Sequence, residues 1–404
     1  MSNTLVTCSI VAKEALAVLE NMLTFSAKVN RNYENEYSSN QSRGYSPGQT
    51  ISIKRPPRYT FRSGRVASPQ ATVETTTNLT LNQGGVDINF TSIERTLSLQ
   101  QLNQKLQAAM ATIANRIDLD GLSLVRTAVG NAVGTVGTLP ATQAAATDLI
   151  LSAGQRLDEM AAPKADRHFV SAPDMNRALV SGMAGLFNSS AAIGQAYRSG
   201  VVSDPFGFDF TVDQNVSRHT NGTQATTGVT VNGAGQSGST INVNSASVTG
   251  TILAGSVITF AGVFAVNPQS RQSTGQLAQF VVTADVAASA TSIPISPALT
   301  PSGAFQNVTA SPANTAAVTI LGAANASYNN SVAFHRDAFT LATVPLYMPQ
   351  GGRGVIDAAQ ESYKGFNMRV IEFYDGVNDN YVMRFDVLYG WAATYPELAV
   401  KVVA

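Results

Sequence analysis

Between Leu97 and Val129 apolar residues recur at helical spacing almost without interruption. Leu99, Leu102, Leu106, Met110, Ile113 and Ile117 fall along one face, and Leu122, Val125 and Val129 carry the stripe past Gly121. A straight helix of that length would run about 50 Å at ~1.5 Å per residue. Few ordinary globular domains need such a rod. Gly121 is the place where it is expected to kink or break.

The other helical patterns are shorter. Residues 4–29 predict a helix on Leu5, Cys8, Val11, Ala12, Ala15, Leu16, Leu19, Met22 and Leu23, with Cys8 as a small buried apolar residue. Residues 142–160 predict another, with Leu149, Ile150, Leu157 and Met160 inward and Pro163 as its stop. Arg167–Ser171 reads as a strand, and Ala172-Pro173-Asp174 starts a helix with Met175, Leu179 and Met183 inward. Residues 75–95 and 206–216 alternate as strands. So do 337–347 and 365–402, which gives an α+β chain that ends on β structure.

Charge divides the chain further. The 404 residues carry 26 Lys and Arg against 26 Asp and Glu, and only 13% are charged. A net charge of zero argues against a protein that coats naked nucleic acid, which needs a standing positive field. From Tyr37 to Val73 there are nevertheless six basic residues (Arg43, Lys54, Arg55, Arg58, Arg62, Arg65) and no acid. Pro47, Pro56, Pro57 and Pro69 exclude helix there. The alternation in Thr50–Lys54 suggests an extended two-stranded arm that reaches an acidic patch on a partner. From His219 to His335 the only formal charges are Arg271 and Asp285. Strand-like pieces at 228–232, 240–243, 256–266, 278–283, 291–295 and 316–321, separated by turns, predict an all-β module shaped as a small barrel. Phe260, Phe264, Phe280, Val281, Val282, Ile293 and Ile295 supply its core.

No motif selects an enzyme. Gly233–Gly238 matches Gly-x-Gly-x-x-Gly, but Ser239–Val243 continues as strand and the next acid is Asp285, so it reads as a glycine turn. No Gly-Lys pair offers a P-loop, and no Gly-x-Ser-x-Gly elbow exists. His168, His219 and His335 have no metal-ligand spacing with another His, Cys or carboxylate. The acidic turns at Asp118–Asp120 and Asp375–Asp379 do not fit a calcium loop. No catalytic, cofactor or metal residue is assigned. The apolar runs are too short to span a membrane, and Lys13 and Glu14 break any signal-peptide pattern.

Four runs in order resemble the major capsid (coat) proteins of tailed bacteriophages, in the P22-type branch with an insertion domain. They are Arg167–Leu179, Gly207–Val216 with Ser217–Thr220 and Gly222, Ala333–Pro349, and Arg384–Trp391 with Pro396–Ala399. The resemblance implies the Hong Kong 97-type phage capsid fold. On it, residues 1–45 would be an N-terminal arm, 46–80 an extended loop and 81–139 a peripheral domain with the spine helix at 97–129. Residues 140–218 would build the axial domain, 219–340 an inserted all-β domain, and 341–404 the axial and peripheral completion with C-terminal strands. Residues 341–365 would join 140–218.

The implied function is structural: many copies close an icosahedral shell of hexamers and pentamers around double-stranded DNA, in a virion assembled in the bacterial cytoplasm. The resemblance also implies a scaffolding protein and a portal. Within this picture Arg55, Arg58, Arg62 and Arg65 are the candidate contacts between subunits. The rivals are an encapsulin-type cellular shell protein, an extracellular β-rich adhesin or fibre, and a hydrolase.

Overall fold

The computed structural model describes residues 8–31, 49–62, 64–67, 69–91, 102–183, 205–349, 355–363 and 366–404. The expectations for Leu5, Arg43, Pro47, Leu97 and Leu99 fall outside these residues, and so do those for the side chains of Leu102 and Leu106. The chain forms two units: Met1–Ile53 with Thr77–Gly121 and Phe339–Ala392, and Lys54–Thr76 with Leu122–Ala338 and Ala393–Ala404.

In the first unit a twisted antiparallel sheet runs in the order Thr50–Arg55, Thr75–Thr91, Asn380–Ala392, Phe366–Asp375, Val355–Tyr363, with Thr340–Val344 also paired to Asn380–Ala392. Ile51, Ile53, Leu79, Leu81, Ala342 and Ala392 form a buried cluster, as the strand alternation in 50–54 and 79–81 requires. The first helix, Cys8–Met22, buries Cys8, Val11, Ala12, Ala15, Leu16 and Leu19, while Met22, expected on the same face, is exposed. It stops earlier than the expected residue 29. A short 3-10 turn, Ser26–Lys28, follows it. The stop has a cause in Asp118, a buried carboxylate on the long helix. Its oxygens accept the Thr24 and Ser26 backbone N–H groups, each at 2.9 Å, and both hydroxyls. Those N–H groups are therefore taken out of any helical ladder.

The long helix spans Leu102–Ala128. Ala109, Met110, Ile113, Ala114 and Ile117 are buried, while Gln107, Thr112 and Arg116 are exposed, so the stripe read from the sequence is the packed face. Ile113→Ala should therefore cost about 2–5 kcal/mol by urea unfolding, and Gln107→Ala almost nothing. Equal losses would refute the face assignment. Gly121 does not break the helix, which continues to Ala128. A β-carbon there would stand 2.5 Å from the Trp391 indole, whose Nε1 donates to Ile117 O at 3.1 Å. The glycine makes room for a tryptophan.

In the second unit a five-stranded sheet runs Ala132–Gly134, Ala399–Val403, Ser331–His335, Arg167–Ser171, Asp209–Val212. The helix Gln143–Glu159 is capped by Thr142, whose hydroxyl accepts Ala145 N–H at 3.3 Å, and buries Leu149, Ile150 and Leu157. It ends four residues before Pro163, through Ala161 in the left-handed region. Helix Pro173–Met183 buries Met175, Leu179 and Met183 as expected. The expected strand 206–216 is shorter. A 3-10 turn with Phe206 at φ 62° precedes Asp209–Val212, and Asp213 Oδ1 accepts Asn215 N–H at 2.7 Å to turn the chain after it.

The nearly uncharged stretch folds as six antiparallel strands in the order Val229–Thr230, Ala317–Ile320, Val257–Val266, Ser273–Val282, Ser292–Leu299, Gly238–Asn242. The Val231–Val243 bridge, flanked by Asn232 N to Asn242 O and Asn244 N to Thr230 O, joins the last strand to the first and closes a barrel. Val229, Phe260, Phe280, Val282, Ile293 and Val318 fill it, whereas Phe264, expected in this core, is exposed. The barrel is narrower than 219–340. Ser331–His335 and Thr340–Val344 pair into the two other sheets, because their burial on both faces needs sheet neighbours and helix cover. Residues 341–349 and 355–363 group with the first unit and not with 140–218.

Candidate functional site

The basic segment leaves the sheet at Arg55 and returns at Thr75. Its two limbs are first joined by Lys54 and Glu74, 2.7 Å apart, and Glu74 holds the Lys54 ammonium above its usual range. Pro56 and Pro57 then break the ladder. Beyond them the backbone is extended but unpaired, so side chains replace the missing rungs. Thr60 donates N–H and hydroxyl to Gln70 Oε1 at 2.8 and 2.7 Å, and Gln70 Nε2 returns a bond to Thr60 O at 2.7 Å. Tyr59 and Thr72 hydroxyls meet at 3.0 Å. The Arg62 guanidinium donates to Gly64 O and Val66 O, which closes the tip.

The base of this loop is anchored within its own unit. Arg58 Nη2 lies 2.9 Å from Glu397 Oε1 and its guanidinium sits 5.8 Å from the Phe305 ring. Arg55 sits 5.6 Å from the Tyr395 ring. Arg271 reaches from the barrel and donates to Tyr59 O at 2.8 Å and Ala304 O at 3.2 Å. Behind these contacts lies a cavity of about 370 Å³, bordered by Pro57, Arg58, Phe280, Phe305 and Tyr395. The tip is different. Phe61 is 95% exposed and Val66 84% exposed. Arg65 is exposed and has no partner among the described residues.

The four candidate arginines thus divide. Arg55 and Arg58 serve the anchorage, Arg62 shapes the tip, and Arg65 faces solvent. Sequence reasoning missed Glu397 and Arg271. Arg271 had a signal, as the single cation of an otherwise uncharged stretch. Glu397, more than 300 residues from its partner, had none.

The chemistry-bearing residues are structural in their surroundings. Gly233 and Gly235 sit at positive φ in a turn, and Gly238 begins a strand. His168 Nδ1 lies 3.3 Å from Asp209, and His335 Nδ1 lies 3.7 Å from Asp337. Among the described residues no three His, Cys, Asp or Glu side chains converge as a metal site, and no helix is long and apolar enough to cross a membrane.

The chain matches the family model described as "P22 coat protein - gene protein 5" over residues 1–403. A structure from Mycobacterium phage Che8 is similar at 16% identity, covering 94% of this chain and 90% of that one, with a TM-score of 0.50. The mature capsid of bacteriophage PhiM1 aligns at 10% identity over 88% of this chain and 82% of its own, with a TM-score of 0.41. The CUS-3 coat protein I-domain aligns at 27% identity over 24% of this chain and 96% of its own, with a TM-score of 0.18. A search of curated proteins gave no match.

Proposed function

The chain belongs to the P22 coat protein family, and from that premise we propose how its parts serve the shell it builds. It is a phage major capsid protein of the Hong Kong 97-type fold, a repeated subunit of an icosahedral shell and a component of the virion. The cellular shell protein, the adhesin or fibre and the hydrolase have no support beside this match.

The proposal concerns the finer organisation. Residues 1–45 act as the arm, 46–80 as the loop that reaches another subunit, 81–139 as the peripheral domain and 140–218 as the axial domain. The barrel with its stem is the inserted domain. Copies group as hexamers and pentamers, assemble with a scaffolding protein and a portal in the host cytoplasm, and enclose double-stranded DNA without sequence recognition. The chain works through interfaces and performs no catalysis.

One observation carries the contact role: the loop is clamped at its base and bare at its tip. Phe61 and Val66 gain ~1.5–3 kcal/mol each when fully buried. Arg65 adds direction more than strength, since an exposed ion pair contributes only ~0.2–1 kcal/mol. Such contacts are weak singly, so a misplaced subunit can leave. Repeated over a shell they add as linked sites do. Full-length protein, purified and imaged by electron microscopy, should show closed shells. Uniform monomers or open fibres under all assembly conditions would overturn the proposal.

A further inference from the structure

Two short strands, Arg218–Thr220 and Ser327–Asn329, pair antiparallel where the chain enters and leaves the barrel. His219 lies opposite Tyr328, with ring centroids 5.4 Å apart. Strand alternation puts Ser217, His219 and Asn221 on one face, with Tyr328 and Asn330 across from them. Among the described residues three of the five carry a buried polar atom without a hydrogen-bond partner, Ser217 Oγ, the Tyr328 hydroxyl and Asn330 Oδ1, while the Asn221 side chain is the hydrogen-bonding neighbour of the His219 imidazole. Folded proteins leave few such atoms, so three on one face of one stem need a reason.

Three elements close over this face. The barrel turn brings Ser256, whose hydroxyl meets His219 Nε2 at 3.1 Å. The last strand brings Lys401, which is fully buried and donates to Arg126 O at 2.7 Å and Gly255 O at 3.1 Å. Arg126 O belongs to the last turn of the long helix, where unpaired carbonyls favour a cation. Lys401 thus clasps the helix end to the barrel turn. The clasp is tight: at Gly255, φ +100°, a β-carbon would stand 2.7 Å from Arg126 Cγ and 3.2 Å from His219 Nδ1. Burial first, and then the Arg126 charge, push the Lys401 ammonium down to about 7. Burial, then Lys401, then Arg126 push the His219 imidazole down to about 4, while the Asn221 amide and the Asp285 carboxylate pull the other way.

We propose that the stem is an acid-opened joint: a proton taken up at His219 parts the stem from the Lys401–Gly255 clasp, while the barrel beyond it stays folded. Closed, the imidazole is neutral and buried within the field of Arg126 and Lys401. Open, it reaches water and charges at its ordinary value, and the stem's unpaired atoms find water partners. The open state therefore binds more protons wherever the pH lies between about 4 and about 6.5. The His219 contribution to closure is fully present above that window and is lost as the pH falls through it. With those two values, opening at pH 5 gains roughly 30-fold over pH 7.5. Lys401, depressed to about 7 when closed, favours opening chiefly above that window, between about 7 and its ordinary 10.5, and leaves the window itself to His219.

Hydrogen exchange of the full-length protein, corrected for the chemical exchange rate, tests this. Peptides covering 216–222 and 325–331 should exchange roughly 30-fold faster at pH 5 than at pH 7.5. Peptides within Val257–Val266 and Ser273–Val282 should not change. His219→Gln, polar but never charged, should reduce the stem response to a few-fold and leave exchange at pH 7.5 unchanged. Should that variant not fold, carbon-bound hydrogen exchange at the His219 ring of the wild-type chain gives its midpoint directly, expected below pH 5. Stem and barrel peptides accelerating together, an unresponsive stem, or an ordinary His219 midpoint would each overturn the proposal.

Discussion

Shells built from a chain carrying Arg62→Glu and Arg65→Glu are expected not to close, although the chain itself folds normally. Both arginines lie beyond the clamped base of the basic loop, and neither is bound to a residue outside the loop in the contacts described. On the proposed contact with an acidic neighbour, reversing two charges at an exposed tip would turn attraction into repulsion at every copy. Circular dichroism and urea unfolding of the unassembled chain should match the wild type, and electron microscopy should show fragments or aberrant particles. Arg58 does not belong in this test. It meets Glu397 in its own chain at 2.9 Å, so Arg58→Glu would set two carboxylates together and disturb the loop base before any neighbour arrived. Arg62→Gln with Arg65→Gln should assemble poorly at low salt. The gap to wild type should narrow as salt rises, because screening over about 8–10 Å also weakens the native pairs. Normal closed shells from the double Glu variant would remove the loop charges from the assembly mechanism.

The parts of the fold that were legible in the sequence are those set by neighbours along the chain. The stripe through Met110, Ile113 and Ile117 marked the packed helix face, because residues three and four apart share a side. Alternation marked all six barrel strands, and the loss of charge marked their extent. What the sequence did not show was contact between distant segments. Gly121 looked like a breaker because isolated glycine weakens a helix, yet its reason is Trp391, 270 residues away. The first helix looked longer because nothing near residue 23 forbids continuation, and its stop comes from Asp118. The site divides in the same way. Composition alone exposed the basic loop, while its anchors, Glu397 and Arg271, became visible only in three dimensions. The barrel's two charges show the same logic: Arg271 holds the loop and Asp285 Oδ1 holds Ala254 N–H at 2.8 Å beside the stem. A stretch nearly free of charge keeps its two charges at its attachments.

Asp118→Ala should be strongly destabilising to the first unit. The carboxylate is 2% exposed and is the shared acceptor for Thr24 and Ser26, which lie more than 90 residues earlier in the chain. Alanine would strand both backbone N–H groups and both hydroxyls where water has poor access, and each unpaired buried group costs ~1–3 kcal/mol. The sum, after partial relaxation, should be about 3–5 kcal/mol. The consequences spread, because the turn held by Asp118 also positions Phe25, whose ring stacks on Trp391 at 5.4 Å and meets Phe339 edge-on at 5.4 Å. Trp391 in turn fills the space that Gly121 leaves open. One carboxylate therefore orders an aromatic cluster that joins the turn after the first helix, the long helix and the sheet. Asp118→Asn keeps one acceptor oxygen but turns an NH₂ group toward a donor, so it should cost roughly half as much. Leu119→Ala, next in sequence but 41% exposed, should cost little. Urea unfolding followed by tryptophan fluorescence reads all three variants, since Trp391 is the single tryptophan and reports on the cluster itself. If Asp118→Ala unfolded no more easily than Leu119→Ala, the carboxylate would not be what fixes the end of the first helix.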